Sequence, residues 1–117
     1  MKIPEEGTLL RIFIGESDRL GGRTLYEGIV LKARELHLAG ATVFRGIMGF
    51  GKHSRVHTAK WEALSTDLPI VIEIVDSEEK IRAFMPHVDQ MVQEGLVTME
   101  KVRVLKYVAR PEEEAKG

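Results

Sequence analysis

At 117 residues, with 44% apolar and 30% charged side chains, the chain has the composition of one soluble globular domain whose single core gains from ligands or partner subunits. Seventeen Lys and Arg against 18 Asp and Glu leave a formal charge of −1, which argues against nucleic-acid binding through a broad basic surface, and the absence of cysteine removes disulfides, thiolate zinc sites and a cysteine nucleophile. Met1-Lys2-Ile3-Pro4-Glu5-Glu6 has no hydrophobic signal core, and no apolar run approaches the ~18 residues of a membrane span, so a cytoplasmic protein without membrane insertion is expected.

Thr8 to Ile14 is short, rich in β-branched and aromatic residues and closed by Gly15, which predicts a first strand. The polar, glycine-rich stretch from Gly15 to Arg23 predicts a loop without a buried face. Thr24 and Glu27 have capping-box spacing, and Tyr26, Ile29, Val30, Ala33, Leu36 and His37 then recur on one helical face until Gly40 offers a left-handed stop. Ala41 to Met48 and Pro69 to Val75 read as the second and third strands. Asp76 is expected to cap a second helix carrying Ile81, Phe84, Met85, Val88, Met91 and Val92 at helical intervals, bent near Pro86 and ended by Gly95. Val97 to Val108 completes the set as a long fourth strand, and residues 111–117 form a solvated acidic tail beyond a single domain of residues 1–110.

The order β-α-β-β-α-β predicts an α+β, ferredoxin-like sandwich: a four-stranded antiparallel sheet with both helices on one face. In the third strand Ile70, Ile72 and Ile74 supply one face, yet Val71 and Val75 flank Glu73 on the other. A sheet face open to water alternates toward polar residues, so this second face is expected to be covered by other subunits.

The 20 residues from Gly49 to Leu68 separate the second and third strands, a length that is functional or disordered in most domains. The segment from 52 to 66 is expected to open locally, with Trp61 and Leu64 as packing anchors. It starts Gly49-Phe50-Gly51-Lys52-His53, where glycines let backbone N–H groups approach an anion that Lys52 complements. His53 and His57 have the H-x-x-x-H spacing of a metal pair, but Ser54 stands where a zinc protease needs glutamate, so they are weak metal candidates. Glu16, Asp18 and Glu73 are unpaired as acids or bases, no nucleophile set assembles from spacing, and no enzyme is expected. The RNA-binding version of this fold stacks bases on sheet aromatics; the third strand has none, and Phe13 is assigned to the core.

Gly40-Ala41-Thr42-Val43, Gly49-Phe50-Gly51-Lys52 and Leu68-Pro69 followed by Ile72-Glu73-Ile74-Val75 resemble, in order and spacing, the nitrogen-regulatory PII signalling proteins. An uncharacterised PII-like branch is more similar still, through Gly15-Glu16-Ser17-Asp18-Arg19, Gly46-Ile47-Met48-Gly49-Phe50-Gly51, His57-Thr58, Leu64-Ser65 and Glu94-Gly95-Leu96-Val97-Thr98. The resemblance implies a homotrimer that binds an adenine nucleotide, or another small anionic effector, in clefts between subunits. It implies no other cofactor. It further implies that a T-loop over residues 49–68 reports ligand state to a transporter or enzyme. Carried over by position, Thr42 lies near the base, Gly49, Phe50 and Gly51 line the cleft, Lys52 opens the T-loop, and Arg103 and Lys106 are the basic positions of the last strand. Glu73 belongs to the shared L-P-x-x-x-E-I-V element, and Gly95 stands at the phosphate loop. That loop in PII proteins carries a glycine pair and a lysine, whereas Glu94-Gly95-Leu96 has one glycine and no cation. The alternatives are a trimeric metal-binding protein resembling CutA, using His53 and His57, and an unrecognised small-molecule enzyme.

Overall fold

The computed structural model describes residues 5–51, 56–58 and 67–111. The chain runs β1 (Glu6–Gly15), β2 (Arg19–Leu20), β3 (Arg23–Thr24), α1 (Leu25–Glu35), β4 (Thr42–Arg45), β5 (Met48–Gly49), β6 (His57–Thr58), β7 (Pro69–Asp76), α2 (Glu78–Met91) and β8 (Leu96–Arg103). Four strands form one sheet in the order β4-β7-β1-β8, and every neighbouring pair is antiparallel. This is the expected ferredoxin-like sandwich.

The two-residue period of β1 and β7 places the core. Leu10, Ile12 and Ile14 with Ile70, Ile72 and Ile74 make one buried layer, and the helices close it with Leu25, Ile29 and Ala33 and with Ile81, Phe84 and Val88. Each of these Leu, Ile, Val and Phe side chains contributes about 1.5–3 kcal/mol by leaving water, and Ala33 less. Register fixes which residues face away from the helices: Leu9 lies opposite Val75, Arg11 opposite Glu73 and Phe13 opposite Val71. Phe13 is therefore on the open face and only half-buried, not in the core as the sequence predicts.

Other boundaries differ from the sequence reading for reasons of partner and register. Thr24 caps α1 as expected, its hydroxyl accepting from the Glu27 amide at 3.4 Å. The left-handed stop is His37 (φ 63), not Gly40. The His37 amide donates to Arg34 O and the Leu38 amide to Ala33 O, the paired bonds of a Schellman close, and they bring Leu38 back against the core. The cap of α2 is Ser77, whose hydroxyl accepts from the Lys80 amide. Asp76 is instead the last residue of β7, paired with Thr8 and fully buried.

β4 stops at Arg45, and the chain then turns so that β5 pairs with β6 in a separate hairpin. β8 stops at Arg103 because its partner β1 begins at Glu6; one further bond runs from Val104 N to Glu5 O. The stretch from Gly15 to Arg23 contains the β2–β3 hairpin, turned at Gly21 (φ 62). It does contribute to the core, since the half-buried Leu20 packs against it. Glycine at position 28 leaves room for that side chain: a Cβ there would lie 2.6 Å from Leu20 Cδ2, which would have to turn away. Pro86 lies within α2 as expected, and Gly95 follows that helix by several residues to open β8. The acidic tail, residues 112–117, lies outside the described residues.

Candidate functional site

The loop between β4 and β7 is gripped at both feet. At its first foot the Gly46 amide donates to Pro69 O at 2.7 Å. A Cβ at Gly46 would meet the Pro69 ring at 2.8 Å and one at Gly49 at 3.1 Å, so glycine lets this backbone lie on the proline. At the second foot the Glu16 amide donates to Leu68 O at 2.8 Å and the Ser17 amide to Asp67 Oδ1 at 2.9 Å. Glu16 is also 3.3 Å from Arg45 Nε, which ties the two feet together. Asp18 completes the turn by accepting from the Gly15 amide. The Gly15-Glu16-Ser17-Asp18 segment is therefore the clamp of the loop, a role that its polarity in sequence does not disclose.

Beyond the clamp the β5–β6 hairpin presents apolar side chains to solvent. Ile47 is 77% exposed and Phe50 70%, with Met48 exposed between them and Val56 exposed just before β6. Contiguous exposed apolar side chains on a small domain mark a ligand or partner surface. A Cβ at Gly51 would meet nothing within 4 Å, so the backbone there is open to an approaching group. Lys52 and His53, and the expected anchors Trp61 and Leu64, lie outside the described residues, as does nearly all of the segment expected to open locally. His57 pairs through its backbone with Gly49. Among the described residues no group of three or more His, Asp or Glu side chains forms a metal-binding set.

Gly95 has a clear structural task at the same end of the sheet. Its φ is +156, and a Cβ would lie 2.6 Å from Phe13 O and 3.2 Å from Ile14 Cγ2. Only glycine lets β8 begin so close to β1.

The remaining candidates lie elsewhere. Thr42 is exposed on the edge strand β4 and pairs with Glu73. Glu73 is not a free acid: its Oε2 accepts from Arg11 Nε at 2.8 Å, while Arg11 Nη1 reaches Glu100 at 2.9 Å. The hydrogen bond that Arg11 donates to Glu73 raises the Arg11 pKa above its ordinary value, with the nearby Glu73 and Glu100 charges adding to it. This ionic triad occupies the middle of the open sheet face, among Leu9, Phe13, Val71 and Val75. Arg103 is paired with Glu6 at the other end of β8, 3.5 Å from Glu5 by its side chain, and Lys106 follows it, exposed.

Within one chain the candidates therefore fall into separate groups. Gly49, Phe50, Gly51 and Gly95 are at the end where β1 finishes; Arg103 and Lys106 are at the end where it begins, with Thr42 part-way along the edge strand. From Leu96 to Arg103 the strand rises about 24 Å. No single small ligand spans that distance within one chain.

A protein-family model, DUF190 (Uncharacterized ACR), matches residues 7–104. A UPF0166 protein of Aquifex aeolicus is 41% identical over 97 residues, covering 83% of this chain and 91% of that protein. The UPF0166 protein MJ1524 of Methanocaldococcus jannaschii is 32% identical over 101 residues, covering 84% and 91%. Among solved structures, CPII of Thiomonas intermedia K12 bound to ADP and bicarbonate superposes with a TM-score of 0.58 at 17% identity, over 86% of this chain and 90% of that one. Another structure of CPII, a nitrogen regulatory PII-like protein, bound to ADP, AMP and bicarbonate, gives a TM-score of 0.59 at the same identity and coverage. At that identity the likeness is one of fold.

Proposed function

The chain belongs to the DUF190 family and has the fold of the PII-like regulators, and from this we propose that it is a cytoplasmic, non-enzymatic regulatory protein. It assembles as a homotrimer through the open sheet face and binds an anionic effector, an adenine nucleotide, in the cleft between neighbouring subunits. The observation that carries the reading is the separation of its candidates. Gly49, Phe50 and Gly51 lie at one end of the sheet and Arg103 and Lys106 at the other, so they serve one ligand only if the loop end of one subunit meets the opposite end of its neighbour. The solved CPII structures carry ADP, a ligand of the right charge and length.

In this arrangement the backbone of residues 49–51 gives directional N–H donors, Gly51 gives access, and Lys52, Arg103 and Lys106 neutralise phosphates. Thr42 faces the base, and Gly95 sets the start of β8 beside the site. Glu73 acts at one remove, by holding Arg11 on the face that the subunits share. The clamped feet of the loop let residues 49–68 change while the sheet does not, and the exposed Ile47, Met48 and Phe50 make the surface that a transporter or enzyme reads.

A thermal-shift panel of ADP, ATP, AMP and divalent metals tests the proposal. A nucleotide at about 100 times its dissociation constant stabilises the native state by ~2.7 kcal/mol, and Gly51→Val removes that shift while leaving the melting temperature of the free protein unchanged. No shift with any nucleotide at millimolar concentration refutes the ligand assignment, and a shift with metals alone favours the metal-binding alternative.

A further inference from the structure

A second place in the molecule has the make-up of a binding site; it shares no residue with the proposed nucleotide contacts but borders them, its Gly40 and Ala41 preceding Thr42 and its Tyr107 following Lys106. Where α1 ends, a cleft of about 490 Å³ opens between its last turn and the C-terminal segment. That volume is within the ~300–1,000 Å³ common for small-molecule pockets. Ala33, Leu38 and Ala41 give it apolar walls, and its polar side chains are Arg34, His37 and Tyr107. We propose that this cleft binds a compact ligand with a planar apolar body and one anionic group.

Its walls are fixed before any ligand arrives. The Ala39 amide donates to Oδ2 of the buried Asp76 at 2.8 Å, and the Ala39 carbonyl accepts from the Tyr107 hydroxyl at 2.7 Å. Asp76 thus holds the loop from below and Tyr107 from the C-terminal side, so the tyrosine ring stands as a wall of the cleft rather than a free side chain. Such pre-ordering lowers the entropic cost of binding.

The charge requirement follows from what lines the cleft. No carboxylate lines it, and Arg34 is exposed with no ion pair among the described residues. The negative end of the α1 dipole opposes an anion, but two carbonyls of its last turn already accept, Ala33 O from the Leu38 amide and Arg34 O from the His37 amide, and beyond the helix His37 O accepts from Lys80 Nζ. His37 adds a second indication. It occupies left-handed backbone at φ 63, a conformation glycine adopts at lower cost, and in exchange an imidazole lines the cleft.

The probe is indole-3-acetate, a planar ring with one carboxylate, with tryptamine as the cationic ring control and ADP as the other source of a ring joined to an anion. Amide chemical shifts are followed by NMR during titration of the full chain. Indole-3-acetate is expected to saturate with shifts confined to residues 30–41 and 107, and tryptamine to leave those amides unmoved. Arg34→Ala should weaken binding about five-fold or more. His37→Gly should weaken it as well while the melting temperature holds or rises, a pair of effects that a purely structural histidine does not give. No saturable shift at these residues, or one unaltered in both variants, overturns the proposal. So does displacement of indole-3-acetate from the same amides by ADP, which makes the cleft part of the nucleotide site. Failure of ADP to bind anywhere while indole-3-acetate binds here sinks the nucleotide reading and leaves this one standing.

Discussion

Two glycines show how differently one residue type can matter. Gly95 combines φ +156 with a Cβ position 2.6 Å from the Phe13 carbonyl oxygen, whereas Gly51 has open space around it. Gly95→Ala is therefore expected to destabilise the fold by about 2 kcal/mol or more, read as a lower urea midpoint, and Gly51→Val to leave that midpoint within about 0.5 kcal/mol. Equal effects of the two changes on folding contradict this. Asp76 is the third residue of note. Its two oxygens accept from the Ala39 amide at 2.8 Å and the Ser77 amide at 2.7 Å inside the protein. Asparagine keeps the volume but offers one oxygen, so one buried amide loses its acceptor, and Asp76→Asn should cost about 1–3 kcal/mol in the same denaturation experiment. A neutral result would mean that the amide nitrogen finds a partner not visible in this arrangement.

At the scale of elements, α2 makes a prediction about pH. Glu78 lies in its first turn and accepts from Arg82 Nε at 2.8 Å, one turn on. That hydrogen bond, with the Arg82 charge behind it, lowers the Glu78 pKa below its ordinary value. A depressed folded-state pKa means that the contribution to stability is present above the unfolded pKa and is lost as pH falls through the folded one. Glu78 should then titrate below the ordinary glutamate range when followed by side-chain NMR, and Arg82→Ala should return it toward that range; both effects shrink in salt because the pair faces water. Glu78 titrating in the ordinary glutamate range in the unmutated protein contradicts the pairing. The helices and long strands were legible in sequence because burial is periodic, as in Ile70, Ile72 and Ile74 against the helix layer. The errors lie where a distant partner decides. Nothing near His37 announces that Leu38 must return to the core, and nothing near Asp76 announces that Ala39 needs an acceptor. β8 was read too long because Leu105 and Val108 continue its apolar pattern, while the strand ends where β1 does. For the candidate site the sequence offers residues and not their geometry, since only register shows that Gly49 and Arg103 are at opposite ends of the sheet.

At the scale of the whole molecule, the open sheet face is the part that one chain leaves unfinished. Leu9, Phe13, Val71 and Val75 surround the Arg11–Glu73–Glu100 triad there, and the proposed trimer covers this apolar face with further copies. The protein is expected to sediment as a trimer at micromolar concentration. Val71→Asp places a charge in that contact, at a cost of several kcal/mol where the contact is dry, and should give monomers; a monomeric unmutated protein contradicts the assembly. The central claim is that each site joins the loop end of one subunit to the opposite end of the next, and a subunit-mixing experiment tests it most directly. Gly51→Val disables the loop end and Arg103→Ala the other end, so each variant alone should fail to bind ADP in isothermal titration. In a cyclic trimer containing both, the one boundary that pairs the intact loop end of the Arg103→Ala subunit with the intact opposite end of the Gly51→Val subunit forms a working site. The account predicts that co-refolded mixtures regain ADP binding at one site per mixed trimer. Mixed trimers that bind no more ADP than either variant alone would contradict it.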